Sequence, residues 1–268
     1  MNSTSDIGSD QPARESRGIQ SIEVGGQLLL ALVHLGRPAP LKDLAREAGM
    51  IGARAHPYLV SFGKLGLIQQ DPASGFYGLG PLALQMGLIS LQQVDPVRLA
   101  TAELRRLALT IGHTVGVAIW GNRGPTFVRL EDGPTAIHVN MRHGTVVSVR
   151  GTATGRLFAA FMPRDKVLEV LAKEAGKESR PDADLEAELL DIQKRRFASV
   201  VDGTVRGVTA LSAPVFDGFG QMVLAITAIG ASATLGADRR SKQAKDLAKC
   251  ANAISSQLGA RGMQIELG

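Results

Sequence analysis

Apolar positions over residues 22–66 recur at three- and four-residue steps, the period of helices that bury one face. Residues 22–34 hold the apolar run Leu28 to Val33, and Arg37-Pro38-Ala39-Pro40 stops it. Leu41, Leu44, Ala45 and Ala48 then share one face of a short helix, and Gly49 stands where a helix end needs a left-handed residue. Ala55, Tyr58, Leu59, Phe62 and Leu65 repeat the pattern, and Gly66 closes it. Two short helices around a glycine-containing turn form a helix-turn-helix, whose second helix is built to enter a DNA major groove; any small helical hairpin would share the pattern. The strand-turn-strand that follows narrows the choice. Residues 67–70 and 76–79 flank the reversal Asp71-Pro72-Ala73-Ser74-Gly75, which makes the wing of a winged helix.

Beyond the wing, Pro81 opens a charge-free helix carrying Leu82, Leu84, Met86, Leu88, Ile89 and Leu91, and Asp95-Pro96 ends it. This linker helix has too much apolar surface to stay bare, so either its own domain or a second subunit covers it. Residues 95–112 form an amphipathic helix burying Leu99, Leu104, Leu107 and Ile111. Strands are expected at residues 114–120, 125–130, 136–141 and 146–149, with hairpin signals at Gly121-Asn122-Arg123-Gly124 and Asp132-Gly133-Pro134. Helices follow at 152–161, 164–174 and 185–195, then strands at 198–201, 208–216 and 221–228. Asp238 is placed to cap a closing helix that runs to about Leu258. Hairpins with flanking helices, without regular strand-helix alternation, indicate an α+β domain around a largely antiparallel sheet. The expected organisation is a disordered tail (1–17), a winged helix-turn-helix domain (18–80), a linker helix (81–94) and an α+β domain (95–262).

With these segments in hand the chain resembles the IclR family of bacterial transcription regulators, from about residue 18 to 258. The resemblance also draws on Gly151-Thr152-Ala153-Thr154-Gly155-Arg156-Leu157, on Gly207-Val208-Thr209-Ala210-Leu211-Ser212-Ala213-Pro214-Val215 and on Ala225-Ile226-Thr227-Ala228-Ile229-Gly230. Their order and spacing carry it, rather than any single motif. It implies a DNA-binding domain joined to a ligand-binding domain, a double-stranded operator, a small-molecule effector, a homodimer or dimer of dimers, and a linker helix packed on a second subunit. Arg54, His56, Pro57, Tyr58, Ser61 and Lys64 are the candidates for DNA contact, with Tyr58 open between groove and core. The family continues its second helix through a Ser/Thr-x-His-Arg-like segment, where this chain has Ala53-Arg54-Ala55-His56-Pro57. Pro57 lacks an amide hydrogen and disfavours helical geometry at His56, so the regular helix is expected to begin at His56 or Pro57, after a looser turn over 51–55.

The stretch Gly151–Gly155 leads from a strand into a helix whose first amides have no intrahelical partner and suit a carboxylate; ordinary capping by Thr152 or Thr154 is the alternative. The resemblance makes that helix start the border of an effector pocket. Carried over by position, Val139, Val147, Val200, Ala210, Thr227 and Ile229 line it, with Ala153 and Thr154 at the helix start and Arg150 as an assisting cation or a solvent-facing one. Members that bind small polar acids carry Asp, Cys or Ser at several positions held here by Val200, Ala210 and Ile229. Unpaired polar groups cost roughly 1–3 kcal/mol, whereas apolar area gains about 25 cal/mol per Å². An aromatic or largely apolar carboxylic acid is therefore expected, and small keto acids such as glyoxylate are expected to bind poorly.

Composition sets outer bounds. A chain of 268 residues, 44% of them hydrophobic, can fill two modest cores. A single cysteine, Cys250, excludes an internal disulfide framework and fits a reducing cytoplasm, with the thiol buried in the last helix. Residues 1–17 are polar, without the pattern of a signal peptide. Residues 218–237 lack charge over about the length of a bilayer crossing, but their glycines, Gln221 and hydroxyls suit strands and turns, so no membrane partner is expected. The net charge of +5 is unevenly placed. Residues 1–93 balance seven Lys/Arg against seven Asp/Glu, while residues 37–66 hold five against two, a modest footprint for phosphate. Lys194-Arg195-Arg196 and Arg239-Arg240 read as solvated helix ends. No catalytic constellation is visible: the five histidines lack metal-ligand spacing, Ser212 lies in a strand, and no glycine-rich strand-to-helix turn cradles phosphate. No cofactor, metal or enzyme activity is expected. The competing class is a sensor or enzyme whose helical hairpin serves only to oligomerise.

Overall fold

The computed structural model describes residues 18–135, 141–175 and 183–267. The chain divides between Gln93 and Val94 into two compact units.

In the first unit, α1 (Gln20–Leu35), α2 (Leu41–Glu47) and α3 (Gly52–Leu65) precede the hairpin of β1 (Ile68–Gln70) and β2 (Tyr77–Leu79), and α4 (Pro81–Gln93) follows. Leu28, Ala31 and Leu32 of α1 meet Leu44 of α2, Ala55 and Leu59 of α3, and Ile68 and Tyr77 of the hairpin in one core. Leu65, expected on that face, instead stays 61% exposed, because the chain leaves the core one residue later at Gly66 (φ 76°). At the hairpin tip Asp71 accepts the amides of Ser74 and Ala73 and the Ser74 hydroxyl. These bonds, that from the Ser74 amide foremost, hold its carboxyl below the ordinary range.

The start of α3 corrects the expectation drawn from Pro57. The helix begins at Gly52, with Ile51 as its N-cap, and passes through Pro57. Its first turn closes without the missing amide, since Arg54 and Ala55 both donate to the Ile51 carbonyl at 3.0 and 3.1 Å. Ala55 and Leu59, four residues apart and 0% and 2% exposed, reach the same core only if residue 55 is already helical. That burial offsets the local penalty of the proline, roughly 3 kcal/mol.

The second unit opens with α5 (Pro96–Ile111), where the Asp95 carboxylate accepts the Val97 and Arg98 amides. There follow β3 (Thr114–Gly121), β4 (Gly124–Glu131), α6 (Ala153–Phe161), α7 (Arg164–Ala175), α8 (Ala183–Arg195), β5 (Ala198–Val201), β6 (Val208–Phe216), β7 (Met222–Ala231) and α9 (Lys242–Gln257). The five described strands form an antiparallel sheet ordered β4-β3-β7-β6-β5. Alternation divides its residues between two cores. Val115, Val117, Leu211, Ala213, Leu224 and Ile226 pack on α5 and α9. Ala118, Ala198, Val200, Ala225 and Ile229 pack on α6, α7 and α8. Because both faces are covered, these strands read as almost continuous apolar runs.

Three expectations are revised here. Residues 146–149 are not a strand: Val146 makes an isolated bridge to Thr126, and the chain then turns so that Val149 enters the core. The Glu174 carboxylate holds that turn, accepting the Val149 amide at 2.6 Å and the Ser148 hydroxyl at 3.0 Å. The cap of α9 is Ser241, which accepts the Ala244 amide, while Asp238 accepts the Arg240 amide in the preceding turn. The chain also stays packed beyond residue 262, where Ile265 and Leu267 are buried and the Asn252 side chain exchanges two hydrogen bonds with the Ile265 backbone. The strand expected over 136–141 falls almost wholly outside the described residues, as do Val139, His138 and the 1–17 tail.

Candidate functional site

The second unit holds a cavity between the α6 end of the sheet and the loops leading into α6 and joining β5 to β6. It is a recess partly open to solvent, with a cavity of about 80 Å³. Val147, Ala153, Thr154, Val200, Ala210, Thr227 and Ile229 all line it. Val139 lies outside the described residues. Arg150 is not among the lining residues; its carbonyl accepts the Arg156 Nε, and Arg156 in turn holds the Glu188 carboxylate at 2.6 and 2.7 Å. Phe127, Met141, Val205 and Val208 complete the apolar wall, and Gly203 and Thr204 close it from the β5–β6 loop. No ionisable side chain lines the cavity among the described residues.

The polar end is built from α6. Thr152 is the N-cap, its hydroxyl accepting the Gly155 amide at 2.9 Å, and the Arg156 amide returns to the Thr152 carbonyl. The Ala153 and Thr154 amides come before these and have no intrahelical carbonyl within reach. The helix start sits close against the preceding turn: a Cβ on Gly155 would lie 2.1 Å from the Ser148 carbonyl oxygen. Thr154 does not cap. Its hydroxyl meets that of Thr227 at 2.9 Å, and Thr227 meets Ser212 at 2.8 Å. All three are at most 2% exposed. Each hydroxyl has one proton to donate, so the direction of the chain decides whether Thr154 turns a donor or a lone pair outward. Ser212 shows in sequence only as a polar residue on the inward alternation of a buried strand.

In the first unit, Arg54, His56, Pro57, Ser61 and Lys64 are exposed on α3. Tyr58 is drawn the other way. It is half-buried against α1, so close that a Cβ on Gly25 would lie 2.9 Å from its ring. The Ser61 hydroxyl donates to the Pro57 carbonyl at 3.0 Å. The wing carries no Lys or Arg, since residues 65–97 contain none.

A winged helix with an exposed, cation-bearing second helix, joined to an α+β unit with an apolar cavity, defines a ligand-responsive DNA-binding regulator rather than a catalyst. Residues 21–72 match the IclR helix-turn-helix domain, and residues 89–256 match the bacterial transcriptional regulator IclR C-terminal domain. The chain belongs to the IclR family of bacterial transcriptional regulators. It is 28% identical over 250 residues to the glycerol operon regulatory protein of Streptomyces coelicolor, across 91% of this chain and 98% of that protein. The crystal structure of Pseudomonas aeruginosa HmgR aligns with a TM-score of 0.85 and 33% identity, over 91% of this chain and 100% of that one. The Agobacterium tumefaciens repressor BlcR shares the fold, with a TM-score of 0.72 and 19% identity over 91% and 100% of the two chains. The reading as an enzyme, or as a sensor that does not bind DNA, is set aside, since both domains match regulators. Among the described residues no helix is long and apolar enough to cross a membrane, and no cluster of His, Cys, Asp or Glu is arranged to hold a metal ion.

Proposed function

We propose that this regulator answers to a small aromatic or otherwise largely apolar carboxylic acid bound in the second unit. The observation that carries this is the cavity wall, apolar on most sides and polar at Thr154, Thr227, the start of α6 and Thr204, whose hydroxyl donates to the Gly151 carbonyl. An aromatic ring that buries on the order of 100 Å² of apolar area gains about 2.5 kcal/mol. Its carboxylate meets the Ala153 and Thr154 amides at the positive end of the helix. Glyoxylate shares the carboxylate but has little to bury, and against Val200, Ala210 and Ile229 its aldehyde oxygen loses water without gaining a partner. On the DNA side, we propose a dimer or dimer of dimers that reads paired half-sites through α3, with α4 covered by a second subunit. The local excess of Lys and Arg on residues 37–66 supports reading through the helix-turn-helix, with the wing or its turn contacting phosphate through uncharged groups.

Titration calorimetry against benzoates, phenolic acids and short keto acids tests the ligand. Glycerol, which the name of the Streptomyces relative ties to its operon, serves as the polar control. Binding of at least one aromatic acid, with weak or no heat from glyoxylate and glycerol, is the expected result. Tight glyoxylate binding without response to any aromatic acid overturns the assignment.

A further inference from the structure

We infer that α3 reads the major groove chiefly through thymine methyl groups, an inference that rests on α3 being the helix that enters the groove. Ala53, Pro57, Val60 and Lys64 follow one another at four-, three- and four-residue steps, opposite buried Ala55 and Leu59. All four are exposed, and Val60 keeps 43% of its surface bare. Through Ala53, Pro57 and Val60 the middle of the outward face offers no side-chain donor or acceptor. Polar groups flank this row without entering it: Ser61 gives its proton to the Pro57 carbonyl and keeps only lone pairs to offer, and exposed His56 stands on the opposite flank. Ile51, the N-cap, leaves a further apolar side chain 72% exposed at the end of the helix that approaches base edges most closely. Arg54 on the flank and Lys64 at the far end supply charge for phosphate, so the face is complementary to a polyanion along its borders and apolar along its centre.

Of the four bases, only thymine turns a methyl group toward the major groove. A donor or acceptor edge brought against Pro57 or Val60 sheds water and finds no partner. Thymine at the same position buries its methyl against theirs. The half-site is therefore selected for thymine opposite Pro57 and Val60, by exclusion of the polar edges as much as by attraction of the methyl.

The full-length protein is used to enrich duplexes from a randomised pool, and the enriched half-site is then synthesised with deoxyuridine in place of each thymidine in turn. That exchange deletes one methyl and leaves the pairing edge intact. Uracil at one or two positions is expected to weaken binding about fourfold, the factor equivalent to ~0.8 kcal/mol for one methyl. Val60→Ala, a change at an exposed site, is expected to abolish the thymine-to-uracil ratio at one such position without altering the salt slope. Sequence-specific binding that tolerates uracil throughout overturns the inference and leaves α3 as the reading helix. A uracil effect unchanged in both Val60→Ala and Pro57→Ala also overturns it. Failure to enrich any sequence overturns both the inference and the reading beneath it.

Discussion

Replacing Leu88 with glutamate is expected to separate subunits while leaving each unit folded. The helix α4 contains no charged residue and no fully buried one, with only Leu82 and Ala83 half-buried. Leu84, Leu88 and Leu91 make one stripe and Met86 and Ile89 a second, all between 53% and 65% exposed. A helix that is apolar on more than one side is stable in water only when something covers it. Full burial of a leucine is worth roughly 1.5–3 kcal/mol, so covering the exposed half of Leu88 gains on the order of 1 kcal/mol. A glutamate there loses that gain and adds the cost of desolvating an unpaired carboxylate, several kcal/mol. In a two-fold dimer the change occurs twice, so ~1 kcal/mol of lost burial and ~2 kcal/mol or more of desolvation per copy total about 6 kcal/mol at least, which raises the dissociation constant more than ten-thousandfold. Sedimentation velocity over a range of concentrations measures this, with thermal melting to confirm that both units remain folded. If Leu88→Glu sediments like the unaltered protein, α4 is not covered by a second copy.

Three further outcomes are expected. Arg54→Ala should weaken binding to all DNA sequences and lower the salt slope by about one per half-site; unchanged affinity at fixed salt removes Arg54 from the interface. The Cys250 thiol is pushed up to about 11, first by burial, so the folded protein should resist alkylation near neutral pH and react once unfolded. The folded value lies above the unfolded one, so the stability this thiol contributes is complete below about pH 9 and is lost as pH rises toward 11. Denaturant midpoints measured across that window should fall more steeply than in Cys250→Ala. Ser212→Ala should lower affinity for an aromatic acid about fivefold, the equivalent of one hydrogen bond of ~1 kcal/mol, although Ser212 does not line the cavity; calorimetry showing no change would detach the hydroxyl chain from ligand binding.

Much of the fold is legible where pattern and punctuation agree. The strands β5 and β6 begin and end where turn residues bracket an apolar run, and Asp95 and Gly112 mark both ends of α5. Legibility fails where a local rule meets a tertiary one. Pro57 argues for a late helix start, yet the shared core of Ala55 and Leu59 requires an early one, and burial prevails. Residues 146–149 have the composition of a strand, but no local rule reveals a glutamate 25 residues away that claims the Val149 amide. Two capping residues lie three apart before α9, and only the path of the chain decides that Ser241 rather than Asp238 faces the helix amides.

The cavity shows the same division more sharply. Its apolar wall was reachable because Val200, Ala210, Thr227 and Ile229 alternate along strands and carry over by position. Phe127 and Val205 were not, since a ring on β4 and a residue in the β5–β6 loop reach the site only through sheet order and loop path. The chain of hydroxyls was least accessible of all, because Thr154, Ser212 and Thr227 come from three different elements. Its consequence is chemical. In a water-poor interior each of these groups needs a partner, and the three share their protons along one line. A ligand oxygen that needs a donor from Thr154 calls for the line to run outward from Ser212; a ligand hydroxyl that needs an acceptor calls for the reverse. On the proposed reading a carboxylate head would fix the outward direction, and Ser212, which does not line the cavity, would then take part in choosing between an acid and an alcohol of the same shape.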